Sequence, residues 1–111
     1  MTTVRQFKAS LFQALANPTR LEILEALRDG ELPVHAILER VGRDQANISQ
    51  HLTSLRLRGI VTNRREGNQV FYSVRDPLLF KVLELMRRYA AAHVSDDLAQ
   101  LRRYRSEESR A

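Results

Sequence analysis

The feature that most constrains this chain is a change of apolar period at Gly59. Before the glycine, Ile48, Leu52 and Leu55 recur at i, i+4 and i+7, the buried stripe of a helix. After it, Ile60 to Arg65 and Gln69 to Val74 are rich in β-branched and aromatic residues. They flank Glu66-Gly67-Asn68, a turn that tolerates positive φ, and so predict a hairpin. Charge narrows the choice further. Between Arg43 and Arg75, six arginines (Arg43, Arg56, Arg58, Arg64, Arg65, Arg75) stand against two acids, Asp44 and Glu66, for a net +4 in a chain of formal net charge +5. Charge concentrated on one surface is what affinity for a polyanion needs.

The preceding elements read as short capped helices. Val4, Phe7, Leu11, Ala14 and Leu15 recur at helical spacing, with Phe12 off the stripe. Asn17-Pro18 supplies an N-cap and a first-turn proline for a second helix, which carries Leu21, Ile23, Leu24 and Leu27 to a stop at Gly30. Pro33 is expected to open a third, with Val34, Ile37, Leu38 and Val41 inward and Gly42 at its end. Asp44 is the natural N-cap of the fourth. The order helix, helix, tight turn, polar-faced helix, hairpin is a mainly α winged helix-turn-helix.

Asp76-Pro77 repeats the cap-and-proline signal and starts a fifth helix bearing Leu78, Leu79, Val82, Leu83, Leu85, Met86 and Tyr89. That band is wider than one stripe, and another subunit is the expected cover. Ser95 to Ala111 is expected to add a turn or two of helix through Leu98, Leu101 and Tyr104, then a polar tail. The organisation expected is thus one DNA-binding and dimerisation domain over 1–94 and a C-terminal extension over 95–111.

With 111 residues the chain can bury one core. It has no cysteine, which excludes disulfides, thiolate metal sites and thiol redox sensing. The N-terminus lacks the apolar run of a signal peptide and no segment is long enough to span a bilayer, so a cytoplasmic protein is expected. Two of the 18 basic residues are lysine, and the forked guanidinium of the rest suits phosphate and guanine. Genomic base composition explains that bias equally well.

In a winged helix-turn-helix the second helix of the motif enters the major groove. With Ile48, Leu52 and Leu55 inward, Gln45, Asn47, Ser49, Gln50, Thr53 and Arg56 point outward, and Arg43 lies in the turn before them. Gln and Asn can pair bidentately with adenine, and Ser can serve several bases or a phosphate. A solvated helix face more often carries Glu and Lys than these short amides and hydroxyls. Arg64, Arg65, Asn68 and Gln69 sit near the wing tip, where arginines can track phosphates or enter the minor groove. His51 beside the core stripe reads as a partly buried ring touching backbone or phosphate.

The strings LFQALANPTRLEILEALRDGELPV, GRDQANISQHLTSLRLRGIV and RREGNQVFYSVRDP resemble the ArsR/SmtB family of bacterial transcriptional repressors over roughly residues 7 to 90. The resemblance implies a homodimer built from the first and last helices, binding an inverted-repeat operator until an inducer releases it. Val4, Phe7, Leu11, Phe12, Leu79, Val82, Leu83, Met86 and Tyr89 are the residues expected at that interface. A symmetric dimer would read half-sites one helical turn, ~34 Å, apart.

Similar proteins commonly sense metals at two kinds of site, and neither is intact here. The thiolate motif, E-L-C-V-C, reads Glu31-Leu32-Pro33-Val34-His35, without the sulfur that soft metals need. The site across the paired last helices keeps Asp76, but Leu78, Tyr89 and Ala92 replace its other ligands. His93 with Asp97, nearby Asp96, and His35 elsewhere leave a nitrogen and oxygen set for Ni²⁺ or Zn²⁺ as one alternative. A surface histidine followed by a helix cap is the other. A winged-helix module for protein interaction is a third reading, which has no need of a basic stripe. The sequence shows no phosphate loop, cysteine nucleophile or carboxylate pair with a base, so no enzyme is expected.

Overall fold

The computed structural model describes residues 1–110, with side chains described through Glu108. The element order is α1 (Val4–Leu15), α2 (Pro18–Ala26), β1 (Leu32–Pro33), α3 (Val34–Val41), α4 (Gln45–Leu57), β2 (Val61–Glu66), β3 (Gln69–Val74) and α5 (Leu78–Arg110). The chain divides into two compact units, Met1–Asp76 and a second beginning at Pro77.

Caps set the helix starts in the first unit. Thr3 and Gln6 exchange bonds at the head of α1, a reciprocal pair that satisfies two backbone donors. Asn17 Oδ1 accepts from Arg20 N at 3.1 Å, with Pro18 at the first helical position where its missing N–H costs nothing. Asp44 Oδ1 accepts from Asn47 N at 2.8 Å and starts α4. Its other end closes on a paired carbonyl motif, with Gly59 N donating to Arg56 O at 2.9 Å and Ile60 N to Leu55 O at 3.0 Å. Gly59 adopts φ +74°, and a Cβ there would also press on the Arg75 guanidinium at 3.1 Å. The change of apolar period therefore coincides with a physical stop.

The core is made where α2 packs on α1, α3 and α4 and where α4 packs on β2. Ile23, Leu24 and Leu27 meet Ile37, Ile48, Leu52, Leu55 and Val61 there, all essentially closed to solvent. Burying a side chain of this size contributes about 1.5–3 kcal/mol before entropy is subtracted. β2 and β3 pair antiparallel from Val61↔Val74 to Glu66↔Gln69, which leaves a two-residue turn. Gly67, at φ +60°, takes the first turn position, the Gly-first geometry whose twist matches the strands.

Two expectations are corrected. Leu32–Pro33 forms a strand, and the sheet is three-stranded in the order β1-β3-β2, with Leu32↔Tyr72 and Pro33↔Phe71. Pro33 caps α3 instead of lying inside it, which suits a residue that has no N–H to give. The last helix continues without a break from Leu78 to Arg110, where a turn or two beyond Ser95 was expected, and Ser95 lies inside it. Ala111 lies outside the described residues. No described helix is long and apolar enough to cross a membrane.

Candidate nucleic-acid interface

Gly42, at φ +70°, ends α3 with its N–H on Leu38 O at 2.9 Å. Gly42, Arg43 and Asp44 then connect α3 to α4 as a tight turn, so the two helices form the helix-turn-helix pair. Burial of Ile48, Leu52 and Leu55 on one side of α4 leaves Gln45, Ser49, Gln50, Thr53 and Arg56 exposed on the other, with Arg43 exposed just before. Asn47 departs from the outward position expected of it. It is half-buried, and its Oδ1 is closed to solvent with no hydrogen-bond partner among the described residues.

His51 is half-buried, and a side chain 31 residues away holds it. Arg20 Nε donates to His51 Nδ1 at 3.1 Å, while Arg20 Nη1 donates to Ala14 O at 3.2 Å. One guanidinium thus ties the end of α1 and the recognition helix to α2. Burial, and then the Arg20 charge, hold the His51 pKa below the ordinary histidine value. Neither backbone nor phosphate is needed to explain the ring's place. Arg20 was missed because no local pattern links positions so far apart.

The N-terminal part of α4 and the wing enclose an open cleft of about 520 Å³. Gln45 and Ser49 line one wall, Asn63, Asn68 and Gln69 another, and His35 from α3 joins them. The polar part of the lining is amides, a hydroxyl and an imidazole, groups that can both give and accept hydrogen bonds, alongside Pro33, Val34, Leu38, Val70 and Tyr72. Asn63 was absent from the expected set. Its signal was its place in the strand, two residues from buried Val61 and therefore on the same face.

The two wing arginines fare differently. Arg65, Asn68 and Gln69 are exposed near the turn. Arg64 donates from Nε to both Glu31 oxygens at 3.0 Å, from Nη2 to Glu31, and from Nη1 to Glu66 Oε2 at 2.7 Å. Its hydrogen bonds to Glu31 lower the pKa of that carboxyl below the usual range. Counting Glu31 takes the local net charge from +4 to +3, so the window Arg43–Arg75 overstates the charge at the wing.

Within a single chain the expected metal candidates do not come together, which leaves the pairing of one histidine and one carboxylate from each of two subunits untouched. Among the described residues no group of three His, Asp or Glu side chains could hold an ion. His93 packs on Tyr89, ring centres 4.5 Å apart, and Asp96 and Asp97 are exposed on the same helix. His35 belongs to the cleft. With no cysteine in the chain, the donor set does not fit a thiolate-bound metal.

Of the residues expected at a subunit interface, Val4, Phe7 and Phe12 are 76%, 63% and 57% exposed in α1, and Leu11 is half-buried. In α5, Leu79, Val82 and Leu83 are half-buried, while Met86 and Tyr89 are exposed. Exposed aromatic and aliphatic side chains in such number are unusual on a monomer.

Comparison with known proteins agrees with this geometry. Residues 17–63 match the model of the family described as bacterial regulatory protein, arsR family. The chain is 38% identical over 97 residues to the HTH-type transcriptional regulator Rv0081 of Mycobacterium tuberculosis, covering 86% of this chain and 85% of that one. The crystal structure of Rv0081 superposes with a TM-score of 0.76 at 35% identity, over 88% of this chain and 99% of that chain. HlyU of Vibrio cholerae, a transcriptional activator, is 40% identical over 78 residues, 70% of this chain and 72% of its own. A homodimeric winged helix-turn-helix DNA-binding domain, Mb0332 of Mycobacterium bovis, matches with a TM-score of 0.72 at 30% identity, over 86% of this chain and 93% of that one. The chain therefore belongs to the arsR family of bacterial regulatory proteins and is a winged helix-turn-helix transcriptional regulator.

Proposed function

We propose that this protein acts in the cytoplasm as a homodimeric repressor. In this reading it occupies an inverted-repeat operator through α4 and the wing of each protomer. The observation that carries the reading is the cleft at which Gln45 and Ser49 of α4 meet the amides Asn63, Asn68 and Gln69 of the wing, with Arg43, Arg56 and Arg65 exposed outside its lining. Gln45, Ser49, Gln50 and Thr53 read base edges, while Arg43, Arg56 and Arg65 lie against phosphates. Asn47 gives its backbone N–H to the Asp44 cap, and its side-chain oxygen is closed to solvent, so it stands outside the base-reading set. The exposed apolar side chains of α1 and of Leu79–Tyr89 are covered by the second copy, as the homodimeric Mb0332 domain supports. Such an arrangement is one of regulation and not catalysis.

The test is an anisotropy titration with duplex DNA from upstream of the protein's own gene, at several salt concentrations. Binding should weaken steeply with salt as counterions return to the DNA, and a scrambled duplex should bind far more weakly. Equal affinity for both duplexes would defeat the operator reading. Gln45→Ala should relax base preference by about 1–3 kcal/mol at the position it reads.

A further inference from the structure

The wing carries two adjacent arginines, and the pleat sends them to opposite faces of the sheet. Arg65 is paired with Val70, and shares its face with Val61, Asn63 and Tyr72. On that face Val61 and Tyr72 are buried, and Asn63, Val70 and Tyr72 line the cleft beside Gln45 and Ser49. Arg64 is paired with Phe71 on the other face. There its guanidinium lies over the Phe71 ring, 4.6 Å from the centroid, with Glu31 and Glu66 as its hydrogen-bond acceptors. Phe71 is in turn paired with Pro33, two residues after Glu31. Arg64 thus reaches from β2 across β3 to the residue preceding β1.

We propose that Arg64 is a positioning residue, a clasp across the back of the wing that stays on Glu31 and Glu66 in the DNA complex, leaving Arg65 as the wing's phosphate-binding arginine. The proposal rests on the wing being a DNA contact. A planar fork shared between two carboxylates and an aromatic face is a restrained arrangement, unlike a single exposed ion pair. Releasing it toward a phosphate would also leave two carboxylates uncompensated beside a polyanion. Local register and long-range side-chain geometry therefore assign different work to neighbouring residues of identical chemistry.

The experiment compares full-length Arg64→Gln, Arg65→Gln, Glu31→Gln and the double variant Glu31→Gln/Arg64→Gln. The readouts are salt-dependent anisotropy on the upstream duplex and amide hydrogen exchange of β2 and β3 without DNA. Arg65→Gln should reduce the slope of log K against log salt by about 0.9 for each phosphate that is no longer neutralised, with exchange unaltered. Arg64→Gln should leave that slope unchanged, speed exchange in the wing, and weaken binding by up to about fivefold, the scale of one ion pair. Glu31→Gln should do the same, with the double variant no worse than either single one. Arg64→Lys should not restore slow exchange, since an ammonium lacks the fork.

A drop in slope for Arg64→Gln equal to that for Arg65→Gln would overturn the proposal. So would tighter binding with a steeper slope in Glu31→Gln, the mark of a phosphate-binding arginine unmasked. If the wild type binds no duplex, the DNA reading fails by itself. Wing exchange untouched by Arg64→Gln and Glu31→Gln would independently remove the clasp.

Discussion

The first 76 residues and the helix that follows them are held in order by different means. The first unit closes Ile23, Leu24, Ile37, Ile48, Leu52, Leu55 and Val61 around a core and caps its helix starts with Thr3, Asn17 and Asp44. α5 runs for 33 residues with no buried residue among those described, and Leu85, Tyr89, Val94, Leu98, Leu101 and Tyr104 are exposed. Helix stability in water comes mainly from packing an apolar face. One unit brings its own cover, and the other has no such cover within the described chain.

The largest effect should be Leu24→Ala, a loss of about 2–5 kcal/mol in urea unfolding from the cavity it leaves. Leu101→Ala should change stability by no more than about 0.5 kcal/mol. Comparable losses at both sites would erase the contrast between the units.

Next comes Met86→Glu, which should weaken dimerisation by tenfold or more, about 1.4 kcal/mol, in sedimentation velocity. A dimer unaffected by that charge would place its interface away from this part of α5. Asp44→Ala should then cost about 1 kcal/mol by removing the bond to Asn47 N, measurable as a lower urea midpoint with unchanged m-value.

The smallest effect concerns pH. The folded His51 pKa lies below its unfolded value near 6.5, so below that pH the unfolded chain binds the extra proton. Stability should therefore fall as pH drops through 6.5 and level off once the folded pKa is passed. His51→Gln should flatten that part of the profile; an unchanged slope would show that another group carries it.

What sequence reading recovers is local. Asn17-Pro18, Asp44 and Gly59 each act on backbone within five residues, and the helix boundaries they signal are found. β1 was missed because two residues have no period and are ordered only by pairing with Tyr72 and Phe71, some forty positions on. The length of α5 was missed because the residues after Tyr104 are polar with no stripe to count, although Leu98, Leu101 and Tyr104 continue the helical spacing that far. In its first half Glu84 joins Arg87 and Arg88, and its pKa falls to about 2 through those bonds. At the candidate interface, exposure of the α4 face followed from the buried stripe. The pairings of Arg64 with Glu31 and Arg20 with His51 span 33 and 31 residues, beyond any window of local preference.

The bond from Arg20 to His51 also settles where a proton sits. Because Nδ1 accepts from a guanidinium that is always charged, the neutral imidazole must carry its hydrogen on Nε2. The recognition helix therefore holds at position 51 a ring fixed in one tautomer, able to give a hydrogen bond through Nε2 and unable to receive one there. Any nucleic-acid group that met Nε2 would have to be an acceptor, such as a phosphate oxygen or the N7 or O6 of guanine, and not an amino group.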